Sequence, residues 1–310
     1  MDLSIVIISY NTQALTKACI ESVFAAVENN RELMQLVELI VVDNDSNDDS
    51  LTTLRELKKS SPIPFALHAN TANVGFAGAN NQAILHAKGE YVLLLNSDTV
   101  LQSHALESLI KTMEDDREQE LGIVAASLLN SDGSPQPQGG DLPSLRSLFV
   151  FAFLLDDLPL IGSHLPSHQH TGRRFKSTSS ESLELKGWVG GTALLLRSSL
   201  VPQIGLLDDQ IFMYAEDIEY CWRAQKAGWL VAIDHQAKVI HHGSKSSSSA
   251  KAYAGEFISL KYVLHKHFAW WQQGLALLLL KTAVFNRFIL FSLLQNAEKA
   301  NVYRLLLSQL

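Results

Sequence analysis

The chain has 310 residues, 47% of them hydrophobic, which suffices for one large α/β domain or two smaller ones. Its formal net charge of -7 argues against a general nucleic-acid-binding protein, because such a protein neutralises phosphates with a broad basic face. Cys19 and Cys221 have neither disulfide-framework nor zinc-ligand spacing, and the N-terminus lacks a signal-type stretch, so we expect reduced thiols in a cytoplasmic protein.

Short apolar runs alternate with helical stretches through the first hundred residues. The runs predict four strands, at 3–9, 36–42, 65–69 and 91–95. Strands separated by helices at this spacing indicate βα units and a parallel sheet. The run 91–95 is apolar without a break, which is typical of a strand that helices bury on both faces. Ligands of such sheets bind outside the carboxyl ends of the strands.

Asp98 lies at one of these ends, after Asn96 and Ser97. A carboxylate there, close to an expected phosphate site, could hold a divalent metal through its oxygens. Alternatively, Asp98 caps the stretch 98–113, whose sequence is typical of a helix. This segment alone leaves both interpretations open.

Two further segments carry residues suited to nucleotide binding. Asp43 and Asn44 follow the second run, and a carboxylate there could accept a hydrogen bond from N3–H of a uracil or thymine ring. The stretch 73–80 contains Gly75 and Gly78, which allow close backbone approach, and it opens a helix whose N-terminus favours a diphosphate. A turn or a helix cap would explain each segment equally well.

The pattern is less regular beyond residue 100. Strand-like runs occur at 121–129, 189–197 and 230–240, and helical ones at 212–228 and 253–310. The segment 163–182 is predicted to be a mobile loop, and a long loop in a compact domain is typical of a lid or substrate-binding insert. Its histidines, which could bind metal or simply be solvated, are His164, His168 and His170.

Glu216 and Asp217 are adjacent at the start of a predicted helix, where they would point about 100° apart. Acids at a helix N-terminus commonly interact only with the helix dipole. A carboxylate in a cleft is also the natural general base for deprotonating an alcohol. Farther along, His241 and His242 follow an apolar run and could be structural or functional.

The C-terminal segment contains a very apolar stretch, 274–294, which Lys281, Asn286 and Arg287 interrupt. It is therefore a poor membrane-spanning helix. With its flanking tryptophans and cations, the region 266–294 could lie in a membrane interface. It could also pack on the domain or on a partner subunit.

Five segments together resemble the inverting family 2 glycosyltransferases of GT-A fold, most closely the bacterial rhamnosyltransferase-type branch. In chain order they are SIVIISYN, VVDNDSNDDS, NVGFAGANN, YVLLLNSD and GWVGGTALLLR…FMYAEDIEYCWRAQKAGW…VIHH. The resemblance covers residues 3–246 and implies an α/β fold with a Rossmann-like, mostly parallel sheet flanked by helices.

The same resemblance implies a domain organisation. A GT-A domain would occupy residues 1–250, with a nucleotide-binding half at 1–100 and an acceptor half at 101–250. A helical C-terminal extension would follow at 251–310.

The resemblance also implies site residues on the donor side. The nucleotide-sugar donor would contact Tyr10, Asn11, Asp43, Asn44, Asn73, Gly75, Asn80, Asn96 and Ser97. Asp98 corresponds to the last acid of the family's DxD metal motif, and Asn96 replaces the first. His241 lies where the family often supplies a further ligand to Mg²⁺ or Mn²⁺, with His242 as an alternative.

On the acceptor side, Asp217 corresponds to the catalytic base, and Glu216 would orient the acceptor or the loop. Gly190 and Gly191 correspond to the start of the acceptor-side strand, and Trp188 would offer a platform for stacking a sugar. These roles follow from matching positions in the family's motifs.

The implied activity is inverting transfer of a sugar from a nucleoside-diphosphate donor to a saccharide or lipid-linked saccharide in cell-surface polysaccharide synthesis. We expect dTDP-rhamnose as donor, with UDP- and GDP-sugars as alternatives. The expected location is the cytoplasm, either free or peripheral at the inner face of the cytoplasmic membrane. A sugar nucleotidyltransferase would instead need a Gly-rich basic loop after the first strand, which residues 10–17 lack. A non-catalytic sugar-nucleotide-binding scaffold is the remaining alternative. Oligomeric state is left open.

Overall fold

The computed structural model describes residues 2–160, 162–168, 182–243 and 249–310. Its strands are β1 Leu3–Ser9, β2 Val37–Asp43, β3 Phe65–Ala69, β4 Tyr91–Asn96, β5 Thr99–Leu101, β6 Leu121–Leu129, β7 Pro135–Gln136, β8 Leu183–Leu185, β9 Ala193–Arg197 and β10 Leu230–His241. Its helices are α1 Gln13–Glu28, α2 Arg31–Leu36, α3 Ser50–Lys59, α4 Gly75–Ile84, α5 Ala105–Asp115, α6 Leu145–Ala152, α7 Val201–Ile204, α8 Glu216–Lys226, α9 Ser249–His267, α10 Trp270–Leu293 and α11 Ala297–Leu307.

All of these strands belong to one sheet, in the order β3-β2-β1-β4-β9-β6-β10-β5, with β7 paired to β6 and β8 to β10. Strands β1 to β4, β6 and β10 point the same way, and the remaining four run in the opposite direction. The predicted α/β class with helices flanking the sheet is confirmed. The antiparallel pairs are those made by β9 and by the short strands β5, β7 and β8.

Successive side chains of the central strands enter two different cores, as the two-residue period of a strand requires. Ile5 and Ile7 pack under α1, α3 and α5, whereas Val6 packs under α4 and α8. A third core joins α6 and α8 to α9, α10 and α11. The C-terminal helices therefore share a core with the helix that begins at Glu216.

Three predictions from the sequence need correction. The stretch 98–113 is not one helix: Thr99–Leu101 pairs antiparallel with the end of β10, and α5 begins only at Ala105, so Asp98 does not cap a helix. His168 is not solvated, since it is 1% exposed and its ring packs edge-on against Phe151. Helix α6 arises within 141–183, where no element was predicted. His170 and most of the loop 163–182 lie outside the described residues.

A buried ionic cluster ties α9 to α8. The Glu219 side chain is fully buried and accepts hydrogen bonds from Arg223, Lys266 and His267, with N···O distances of 2.7 to 3.0 Å. Burial by itself would raise the pKa of the Glu219 carboxyl, but hydrogen bonds from His267, Arg223 and Lys266 outweigh it and lower that pKa to about 2. The Glu219 carboxylate is therefore ionised at neutral and mildly acidic pH.

Glu219→Gln should lower the free energy of unfolding at pH 7 by about 3 kcal/mol, because it leaves buried cations without their counter-charge. A carboxyl whose pKa is lowered on folding stabilises the protein above its unfolded pKa, and that contribution is lost as pH falls toward 2. The difference from the parent should therefore shrink between pH 7 and pH 3 in urea titrations. Glu118→Gln, at an exposed site, is the matched control and should change neither curve.

Candidate active site

The carboxyl ends of β1, β2 and β4 lie side by side. The register pairs Ser9 with Asp43 and Ile8 with Asn96. Just beyond, the hydroxyl oxygens of Thr12 and Ser97 are 3.2 Å apart. The predicted residues that follow these strands, including Tyr10 and Ser97, are thus brought to one edge of the sheet.

Asp43 is 2% exposed at this edge. Its Oδ2 accepts a hydrogen bond from the Ser46 backbone N–H at 3.2 Å, whereas Oδ1 is buried and has no partner among the described residues. A buried acceptor without a donor is costly, so this oxygen is suited to an N–H group of a ligand. Asn11, with φ 54°, accepts a hydrogen bond from the Asn47 N–H at 2.7 Å and so orders the loop beside Asp43.

Asn44 is occupied within the protein. Its Nδ2 donates to Asn73 Oδ1 at 2.9 Å and to Gly75 O at 3.3 Å, and its Oδ1 accepts from Asn70 and Val74. It therefore holds the Gly-rich loop in place. The hydrogen bonds of the Asn44 side chain therefore stabilise the loop and are made within the protein.

The other residues of this loop are also engaged internally. Gly75 has φ 80°, and a Cβ there would lie 2.6 Å from Phe212 O, so only glycine fits. Asn80 is 1% exposed and its Nδ2 donates to Phe76 O at 2.9 Å. The first backbone N–H groups of α4 are bonded as well, since Gly75 donates to Asn73 Oδ1 at 2.9 Å and Phe76 to Phe212 O at 2.8 Å.

Asp98 and His241 face each other, with 3.4 Å between Oδ2 and Nε2. The pairing of β5 with β10, which sets Thr99 opposite His241, brings them together. His242 is directed elsewhere: its backbone N–H donates to Asp98 O at 2.9 Å, while its ring Nδ1 lies 2.8 Å from the Ser131 hydroxyl. His241 is therefore the histidine placed beside Asp98.

Gln136 orients His241. Its Oε1 lies 2.7 Å from His241 Nδ1, and its Nε2 donates to Asn130 Oδ1 at 3.1 Å. An amide oxygen can only accept, so Nδ1 carries a proton and Nε2 is the ring nitrogen on the side of Asp98. Sequence reasoning missed Gln136, because it lies in a turn-rich stretch with no motif of its own.

These residues fit a divalent ion that is shared with a ligand. The described ranges contain no group of three or more His, Cys, Asp or Glu side chains that could enclose a metal alone. One carboxylate, one imidazole and Asn96 Oδ1, which is buried without a partner among the residues that the structure describes, are available. Mg²⁺ is commonly held by one or two carboxylates together with substrate phosphates.

Asp217 lies in the first turn of α8 and is fixed by two backbone N–H groups. Its Oδ2 accepts from Gly191 at 3.1 Å and its Oδ1 from Ile218 at 2.8 Å. A Cβ on Gly191 would lie 3.8 Å from the Asp217 Cβ and 3.6 Å from the Phe76 ring. The glycine thus brings the base-like carboxylate next to α4, on the same side as the Gly-rich loop.

Burial sets the protonation of the acidic pair. Burial, together with the charge of Asp217, raises the pKa of the Glu216 carboxyl to about 8. Burial also raises the pKa of Asp217, but hydrogen bonds from Gly191 and Ile218 oppose that rise. Glu216 therefore holds its proton at neutral pH, and the N–H groups of Gly191 and Ile218 favour the ionised form of Asp217. Glu216 Oε2 has no partner in the described part of the chain.

The backbone just before the pair is strained. Tyr214 and Ala215 have φ of 69° and 66°, which side chains other than glycine rarely adopt. Helix α9 supports this turn, since Ser259 Oγ donates to Met213 O at 3.1 Å and Gly255 lies against the Tyr214 ring. The C-terminal helices thereby help to fix the start of α8.

Gln138 and Asp217 both lie beside Gly190, and Trp188 precedes that glycine by two residues. Gln138 donates through Nε2 to Ala126 O, while its Oε1 is buried, without a partner in the described ranges, and 3.6 Å from where a Gly190 Cβ would lie. The same Cβ position is 4.0 Å from Asp217 Oδ2. Trp188 is half-buried between two cores and its Nε1 donates to His168 O at 2.9 Å, so its ring is partly used for packing.

Known proteins with similar sequences and folds are glycosyltransferases. The profile of "Glycosyl transferase family 2" matches residues 4–180. The N-acetylglucosaminyl-diphospho-decaprenol L-rhamnosyltransferase of Mycobacterium tuberculosis is 26% identical over 253 residues, which are 77% of this chain and 78% of that protein.

Solved structures show the same fold. The Pyrobaculum calidifontis mannosyltransferase PcManGT with GDP-Man and Mn²⁺ aligns with a TM-score of 0.57 at 14% identity, over 99% of this chain and 83% of that one. GalNAc-T7 with UDP, GalNAc and Mn²⁺ aligns with a TM-score of 0.60 at 15% identity, over 86% of this chain and 48% of the other. The profile match covers more than half of the sequence, so the chain belongs to glycosyl transferase family 2 and is a hexosyl-transferring enzyme of GT-A fold.

Proposed function

We propose that the protein is an inverting glycosyltransferase that moves a sugar, with dTDP-rhamnose as the first candidate donor, onto a lipid-linked saccharide in cell-surface polysaccharide synthesis. The observation that carries this proposal is the half-buried Asp217, held by two N–H groups on the same side of the sheet as α4. The name of the mycobacterial rhamnosyltransferase, whose acceptor is carried on decaprenol diphosphate, supports the donor and acceptor classes. An enzyme acting on such an acceptor would work in the cytoplasm or at the cytoplasmic face of a membrane.

The donor nucleotide would lie across the ends of β1, β2 and β4. The unpartnered Asp43 Oδ1 would accept the N3–H of a thymine or uracil ring, and Tyr10 and Asn11 would flank base and ribose. The diphosphate would face the N-terminus of α4, where the helix dipole favours an anion. Asn44, Asn73, Gly75 and Asn80 would support this geometry from behind.

Asp98 and His241 would hold Mg²⁺ or Mn²⁺ together with the diphosphate, and Asn96 could contribute its free oxygen. A bound divalent ion neutralises charge that develops on the leaving diphosphate. Gln136 keeps His241 in the tautomer that presents Nε2. The protein itself thus supplies two ligands, one oriented by a hydrogen bond.

In the reaction, Asp217 takes the proton of an acceptor hydroxyl as that oxygen forms a bond to the anomeric carbon. The bond from the anomeric carbon to the diphosphate breaks in the same displacement, and the electron pair leaves with the diphosphate. One displacement inverts the configuration and needs no nucleophilic side chain. Glu216, which is neutral at pH 7, adds no second charge beside the base.

A thermal-shift panel tests the donor. A bound donor stabilises the fold by mass action, so dTDP-rhamnose with Mn²⁺ should raise Tm more than UDP- or GDP-sugars at equal concentration. Asp43→Ala should reduce the shifts with dTDP- and UDP-sugars alike, without unfolding the protein. A larger shift with a GDP-sugar would contradict the proposed nucleotide, and no shift with any donor would contradict the proposed function.

Gln136→Ala should weaken Mn²⁺-dependent donor binding roughly 10-fold, because loss of a partner that orients a metal-binding histidine typically costs that much. Gln136→Glu keeps an acceptor oxygen for His241 Nδ1 and should restore most of the affinity. Titration calorimetry with Mn²⁺ measures both, with the exposed Gln210→Ala as control. If the parent and Gln136→Ala bind the donor equally well in the presence of Mn²⁺, Gln136 does not contribute to metal binding.

A further inference from the structure

We infer that one face of α10 docks the enzyme onto a bilayer surface that contains anionic lipid. The face, here the α10 stripe, consists of Trp271, Leu275, Leu278, Phe285, Ile289 and Leu293. Their exposed fractions range from 42% to 77%. The inference rests on the proposed lipid-linked acceptor and adds the surface through which the enzyme would reach it.

The stripe is continuous along the helix. Its members recur every three or four residues, apart from Thr282, so that at 100° per residue they lie within about 40° of one line. Six large apolar side chains on one exposed face exceed what scattered surface residues explain. Such a face is expected to bind either a soluble partner or a membrane.

The opposite face of α10 is packed into the protein. Ala276, Leu280, Ala283 and Val284 are at most 1% exposed, and Arg287 donates to Phe151 O at 3.0 Å and lies 3.8 Å above its ring. The helix is long and apolar enough to cross a membrane, but a third of its most apolar window is buried in the protein. This arrangement favours a helix that lies along a membrane surface over one that spans it.

The apolar surface extends beyond α10 on both sides. Helix α6 packs on α10, where Asn286 Nδ2 donates to Ala152 O at 2.8 Å, and α6 exposes about half of Phe149 and of Phe153. Toward the C-terminus, a groove of about 900 Å³ opens between α10 and α11. It is lined by Phe288, Phe291, Val302 and Leu305, among others.

The charge of the C-terminal helices favours anionic lipid as the surface that covers the α10 stripe. Residues 249–310 contain seven Lys or Arg and two Asp or Glu, whereas the whole chain contains 25 and 32. Helix α10 itself has no acidic residue, and Trp270 and Trp271 at its start are 84% and 62% exposed. Lys266 and Arg287 are engaged within the protein, but the excess of cations remains. Cations and interfacial tryptophans beside an apolar face match an anionic lipid surface.

Vesicle co-sedimentation of the full chain tests the inference. The parent should bind vesicles of three parts phosphatidylcholine to one part phosphatidylglycerol, and bind phosphatidylcholine vesicles at least 10-fold more weakly. The double variant Leu278→Glu/Phe285→Glu should bind the mixed vesicles at least 10-fold more weakly than the parent. Leu85→Glu is the matched control: Leu85 is 70% exposed, at the opposite end of α4 from Gly75, and this variant should bind like the parent.

Donor-induced thermal shifts should be the same in the parent and the double variant, so that loss of vesicle binding is distinguishable from loss of the active site. If the double variant does not fold, Trp270→Ser/Trp271→Ser provides the test, since both side chains are largely exposed. A parent that ignores vesicles, or equal binding by parent and stripe variant, overturns the inference. It is also overturned if light scattering shows a dimer that the stripe substitutions dissociate, because the face would then bind a second copy.

Discussion

Asp217→Asn is expected to lower kcat by about 10³-fold, the range that a positioned general base contributes, while donor affinity stays within a factor of two. The amide has the size of the carboxylate, and its oxygen can still accept a hydrogen bond from Gly191 or Ile218. It cannot take the proton of the acceptor hydroxyl. The fold and the nucleotide site should therefore be retained.

Initial rates with saturating donor and acceptor, and donor binding by calorimetry, separate the two effects. Asp209→Asn is the matched control, since Asp209 is exposed on the loop before α8 and should tolerate the change. If purified Asp217→Asn turns over like the parent, the assignment of the base is wrong.

The pH dependence of kcat follows from the same pair. Activity should fall as pH drops through the pKa of Asp217, which burial raises above the ordinary aspartate value near 4. Glu216→Gln should leave this acidic limb in place, because Glu216 is already neutral there. Above the pKa of Glu216, about 8, the parent gains a second buried charge that the glutamine variant cannot acquire. Any decline in activity above pH 8 should therefore disappear in Glu216→Gln.

Asp98→Ala is expected to weaken donor binding in the presence of Mn²⁺ by more than the roughly 10- to 100-fold that loss of an outer metal-site partner causes. Asp98 is the carboxylate beside His241, and without it one imidazole and a neutral amide would remain to share the ion with the diphosphate. Affinity without added metal should change little. Transfer should fall in parallel with the metal-dependent affinity.

Calorimetry with Mn²⁺ and with EDTA measures this difference. Asp115→Ala, at the exposed C-terminal end of α5, removes an equal charge and should leave both values unchanged. Unchanged Mn²⁺-dependent affinity in Asp98→Ala would exclude Asp98 from metal binding.

Local pattern was sufficient for the elements whose environment is uniform along their length. The bounds predicted for β1 and β6 agree with the structure, because a strand that is buried along most of its length is apolar throughout. Those predicted for β3 agree as well, although that strand is only half-buried. The pattern failed at Thr99–Leu101, whose strand conformation depends on pairing with Val239–His241, more than 130 residues later. No local window contains that partner.

The sequence by itself determined the family, the α/β class and the acidic residues at the strand and helix ends, since these depend on residue type and order. Only the tertiary structure decided how each side chain is used. It placed His241 rather than His242 beside Asp98, engaged Asn44 and Asn80 internally, and brought Gln136 and Gln138 to the site. Hydrogen bonds and burial join residues that are distant in the chain, so these roles become visible only when the sheet assembles.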